Sequence, residues 1–104
     1  MTKFLFLYSG GSMPESEVDQ SQFMKDWEKW ETDLGSTLVD PGNPMSMIKN
    51  LSGDGHDHND QSLATASGYS IINADSHEKA VEIAKTSPVF LGGSDVSIFE
   101  TFNM

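Results

Sequence analysis

Residues 68–88 constrain the fold of this chain more than any other stretch, because they read as strand, cap and helix without a break. Tyr69, Ile71 and Ile72 are aromatic or β-branched, the types that favour a pleated strand. Asp75 is placed to accept a hydrogen bond from a first-turn backbone N–H, and Glu78 to reach back and complete a capping box. Ala80, Val81, Ile83 and Ala84 then supply an apolar face at helical spacing. Pro88 cannot continue a helix, and it turns Ser87 away from helical backbone.

The rest of the chain falls into order around this run. Residues 3–8, with Phe4, Leu5, Phe6, Leu7 and Tyr8, place bulky side chains on both faces, as an interior strand would. A polar loop follows, and a helix is expected from about Ser21. Phe23, Trp27, Trp30 and Leu34 share one face of it, Asp26, Glu28, Lys29, Glu31 and Asp33 mostly occupy the other, and Gly35 stops it. Residues 40–44, with two prolines and a glycine, form a turn cluster. Residues 45–51 alternate weakly and read as a second strand, and residues 52–62 as an exposed hairpin loop. The third strand lies within residues 63–73, residues 90–94 form a loop, and residues 96–102 alternate as a fourth strand. The order β-α-β-β-α-β predicts a single α+β domain over residues 1–104, with the ferredoxin-like arrangement of a four-stranded antiparallel sheet under two helices. One face of such a sheet is left bare. Apolar side chains on both faces therefore predict a homodimer that packs sheet on sheet.

Charge and composition narrow the partners. Sixteen acidic residues against six basic ones give a net charge of -10. Such a surface repels nucleic acid and anionic membranes, so neither is an expected partner. With no cysteine, disulfides and thiolate chemistry are excluded. The N-terminal apolar run is too short for a secretory signal core or a membrane span, and the expected location is the cytoplasm.

Taken in order, these landmarks resemble the YCII-related proteins, including their DGPF branch. The features that carry the resemblance are the strand from Phe4 to Tyr8, a helix running into Leu38-Val39, and the Gly42-Asn43-Pro44 turn. They continue with the strand Gly68-Tyr69-Ser70-Ile71-Ile72, Asp75 opening a helix, the Ser87-Pro88 stop, and Gly92-Gly93 before the strand Val96-Ser97-Ile98-Phe99-Glu100. The resemblance implies a dimeric α+β barrel with a pocket between sheet and helices. It implies either a small-molecule enzyme using a His–Asp pair or a module attached to transcriptional control. Two departures stand out: the first helix carries no histidine, and Leu63-Ala64-Thr65-Ala66-Ser67 replaces Asp-Gly-Pro-Phe.

Candidate chemistry is sparse. His77, at the start of the second helix beside Asp75, sits where a helix N-terminus favours the neutral imidazole, a fitting base near neutral pH. Tyr8, at the end of the first strand, is a candidate to orient a ligand or act as a weak acid. His77, Asp75 and Tyr8 form the candidate catalytic set, and Trp27 and Trp30 are candidates to stack on a planar ligand. His56 and His58, two residues apart among aspartates, are candidate ligands for zinc, nickel or copper, although the simpler reading is a solvated hairpin tip. No cofactor is called for. The expected function is binding of a small molecule with cofactor-free acid/base chemistry, elimination or isomerisation, and the alternative is a non-catalytic ligand-sensing or protein-interaction module.

Overall fold

The structure, a computed structural model, describes residues 1–11, 16–58 and 65–103. The elements are β1 (Thr2–Gly10), α1 (Glu17–Leu34), a 3-10 turn (Gly35–Thr37), β2 (Leu38–Asp40), β3 (Ala66–Ala74), α2 (His77–Lys85), a second 3-10 turn (Pro88–Gly92) and β4 (Ser94–Glu100). The strands form one antiparallel sheet in the order β2-β3-β1-β4. This is the ferredoxin-like α+β arrangement expected from the element order. No helix among the described residues is long and apolar enough to cross a membrane.

Alternation along the strands decides which side is the core. Phe4, Phe6 and Tyr8 on β1, and Ser70, Ile72 and Ala74 on β3, are buried beneath the helices. Trp30 from α1, Ala80, Ile83 and Ala84 from α2, and Val89 complete that core, with Trp27, Leu34, Leu38, Val96 and Ile98 packed around it. The intervening residues Leu5, Leu7, Tyr69, Ile71 and Phe99 point to the opposite face, where no helix among the described residues covers them.

Several boundaries differ from those the sequence suggested. α1 begins at Glu17 rather than near Ser21, because Ser16 caps it by accepting a hydrogen bond from the Asp19 N–H at 3.0 Å. The cap of α2 is Ser76 and not Asp75: the Ser76 hydroxyl accepts from the Lys79 N–H at 3.1 Å, which puts lysine where a capping box needs Glu or Gln. Val81 is 38% exposed and lies off the buried stripe of α2. Pro88 opens a 3-10 turn capped by Ser87 across the stretch read as a loop.

The largest correction concerns β2, which lies at Leu38–Asp40 rather than in residues 45–51. After Asp40 the backbone leaves the sheet through residues 41–43 and returns to β3 only at an isolated bridge, Pro44 to Gly68. Pro44 has no N–H to extend a ladder, and Ile48 and Leu51 beyond it are exposed. A second isolated bridge, Leu51 to Asp57, closes a small hairpin in the part of the expected loop that is described; residues 59–62 of that loop and the first two residues of the expected third strand lie outside the described residues.

Candidate functional site

A cleft of about 470 Å³ opens where β1 ends and β3 begins. α1 forms one side. Phe23, Trp27 and Glu31 recur every four residues and so stand in line along the helix above the cleft. Residues 41–44, the bulge that interrupts β2, form the other side, with Tyr8 and Gly68 of the two central strands between.

The bulge is fixed by local chemistry. Asp40 Oδ1 accepts from the Gly42 N–H at 2.8 Å, an Asx-type turn. Gly42 has φ of +82°, and a Cβ there would stand 1.6 Å from the Tyr69 carbonyl oxygen. Only glycine lets the bulge lie this close to β3.

At the base of the cleft the Tyr8 hydroxyl donates to Ser70 Oγ at 2.9 Å, and the Ser70 hydroxyl donates to the Pro41 carbonyl at 2.8 Å. This relay ties β1, β3 and the bulge together, and its two side chains, Tyr8 and Ser70, are almost fully buried. Burial holds the Tyr8 phenol above its ordinary pKa of about 10, and the hydroxyls of Ser70 and Ser87 offset part of that rise. Above the relay, Tyr8 and Phe23 each meet Trp27 edge-on, with ring centroids 5.7 and 6.3 Å apart.

The expected site residues do not gather in one place. Tyr8 and Trp27 share the cleft. Trp30 is 6% exposed in the core; its indole N–H donates to Thr86 Oγ1 at 2.9 Å, and its ring meets Trp27 edge-on at 5.4 Å. His77 and Asp75 lie at the other end of the sheet. The His77 ring packs against Phe4 at 5.9 Å, and its Nε2 is 2.7 Å from Glu100 Oε1. Phe4 and Tyr8 are four residues apart on β1, a separation of about 13 Å. His56 and His58 lie on the hairpin, where Asp54 is already engaged: the Ser52 hydroxyl and the His56 N–H hold its carboxyl below the usual range. Among the described residues no group of three or more His, Cys, Asp or Glu is placed to hold a metal ion.

The sequence pattern groups Glu31 with the residues that mostly occupy the polar face of its helix, yet its spacing of four from Trp27 signals a shared face. Glu31 is half-buried at the cleft.

No protein-family model matches the sequence, and no curated protein matches it. Among solved structures, the chain is similar to 5-chloro-2-hydroxyhydroquinone dehydrochlorinase from Burkholderia phenoliruptrix, solved in complex with 2,5-dihydroxybenzoquinone. The TM-score is 0.53 at 15% identity, over 95% of this chain and 93% of the dehydrochlorinase. The likeness is one of fold and extends across nearly the whole length of both chains.

Proposed function

We propose that this protein binds a small, flat, largely apolar organic molecule in the cleft between α1 and the bulge of residues 41–44. The observation that carries the reading is the cleft itself. It has room for a single-ring ligand, walls of Phe23, Trp27 and Met24, and the buried Tyr8 phenol at its base. The structural neighbour, which holds a single-ring quinone, supports a ligand of that size. The bare sheet face supports a homodimer like that of the YCII-related proteins, beside which we place the chain.

A proton-transfer role is a second reading, favoured by one observation. Glu31 and Tyr8 border the same cleft, and a carboxylate and a phenol together form a base and an acid. His77 and Asp75, about 13 Å away along β1, belong to a different locality and are not assigned to this chemistry.

The test is titration with hydroquinone, a neutral flat ring with two hydroxyls, followed by the indole N–H resonances of Trp27 and Trp30. Binding in the cleft moves Trp27 and leaves the core-bonded Trp30 nearly still. Absence of any Trp27 shift up to millimolar concentration, or equal shifts of both indoles, overturns the reading.

A further inference from the structure

The cleft is electrostatically one-sided. Among its described lining residues Glu31 carries the one carboxylate, and none is a lysine, arginine or histidine. The chain's cations are six lysines and no arginine. Lys29 and Lys79 border a separate groove between the two helices, where they pair with Asp33 and Glu82. Lys49 pairs with Asp57 on the hairpin. Lys3, Lys25 and Lys85 are exposed and outside the cleft lining. The three histidines lie on the hairpin and at the start of α2. Residues 12–15 and 59–64 add no lysine, arginine or histidine.

An anionic ligand entering here would give up its hydration and meet no cation in return, which is costly in a partly dry site. A cation meets the opposite conditions. Aromatic faces carry negative potential that attracts ammonium groups, and Phe23 and Trp27, both half-buried, line the cleft. Glu31 stands one helical turn beyond Trp27 on the same side. The net charge of -10 draws cations toward the whole molecule.

We propose that the cleft selects an organic cation, an amine or quaternary ammonium on a small apolar body, with Glu31 as counter-ion and the Trp27 cluster as the aromatic wall. This rests on the ligand-binding reading above and names its ligand class.

Three probes of similar size separate the two ideas: benzyltrimethylammonium, benzyl alcohol and benzoate, each titrated into the full chain with the Trp27 indole as reporter. The expected order is the cation about tenfold tighter than the alcohol, with benzoate weakest. Glu31→Gln is expected to bring the cation close to the alcohol without moving the alcohol itself. A preference that survives Glu31→Gln but disappears in Phe23→Leu, which keeps the Trp27 reporter, assigns the selection to the rings and overturns the counter-ion role of Glu31. A preference unchanged in both variants reports general surface charge and overturns the proposal. Equal binding of cation and alcohol to the unaltered chain, or tighter binding of benzoate, also overturns it while the ligand-binding reading stands. No Trp27 shift with any of the three overturns that reading, and the charge preference with it.

Discussion

Tyr8 is held protonated by its surroundings, and that has a consequence for stability. In the folded chain burial raises its pKa above about 10, while in the unfolded chain the phenol ionises at that ordinary value. The unfolded state therefore loses its proton first as pH rises. The contribution from this group is fully present below about pH 10 and is lost as pH climbs through the folded pKa. Thermal melts at pH 9 and pH 11 should show a fall in Tm that is smaller in Tyr8→Phe. At neutral pH the same substitution removes the hydrogen bond to Ser70 but leaves Ser70 donating to Pro41, so the expected cost is ~1 kcal/mol. An equal fall in both proteins would show that Tyr8 is not the group responsible. Tyr8 and Trp27 could be singled out from the sequence because strand alternation and helical spacing are local signals. The Ser70–Pro41 half of the relay could not, since the two residues are 29 apart and meet only once β3 and the bulge are in place. The separation of His77 from Tyr8 was hidden for the same reason: sequence marks the ends of elements but not which ends share an edge of the sheet.

At the scale of elements, helix starts and turns are set by single side chains that compete with their neighbours. Asp75-Ser76 is such a case, because either residue is a good cap by type. The chain uses Ser76, whose backbone is extended at φ -152° and ψ 164° and whose hydroxyl reaches the Lys79 N–H. Ser76→Ala should cost ~1 kcal/mol, and Asp75→Ala, at an exposed position outside the helix, clearly less. Denaturant midpoints for the pair test the assignment, and the reverse order would return the cap to Asp75. The bulge before the hairpin depends on one glycine in the same way. At Gly42 an added Cβ collides with backbone, whereas at Gly93 it meets open space. Both have positive φ, so alanine at either costs ~1 kcal/mol in backbone strain. Gly42→Ala should cost well beyond that and also weaken ligand binding, because the bulge is a wall of the cleft; Gly93→Ala should leave binding unchanged. Equal losses at the two sites would mean that the bulge yields without consequence. Two prolines and a glycine announced a turn at residues 40–44, but not that it would interrupt an edge strand rather than precede one. The weak alternation of residues 45–51 imitated the strand that three residues, Leu38–Asp40, supply.

The whole molecule is flat. Its extents are 44 × 38 × 18 Å, and its radius of gyration is 15.2 Å, against about 13 Å for a compact chain of 100 residues. One helical layer on one sheet accounts for the thin dimension, and among the described residues no third layer lies on the side of Leu5, Leu7, Tyr69, Ile71 and Phe99. Leu5 faces Phe99 across the ladder between β1 and β4, and Phe99 is 49% exposed. Apolar groups aligned in this way on a flat face gain most from a surface of the same shape, and a second copy related by a two-fold axis provides one. Light scattering should therefore give a mass near twice 11.4 kDa at micromolar concentration. Phe99→Glu should shift it toward the single-chain value, because a carboxylate at that point would be buried without a partner in the dimer but solvated in the monomer. Circular dichroism of that variant should stay close to the parent, since Phe99 is outside the helix-side core. A second exposed apolar site, Ile48 on the hairpin, serves as the control: Ile48→Lys should leave the mass unchanged. If Ile48→Lys dissociates the dimer and Phe99→Glu does not, the hairpin is the contact and the sheet face is open to some other partner. If the unaltered chain is a monomer at every concentration, the sheet face stands bare in solution, and the barrel implied by the two-copy arrangement does not form.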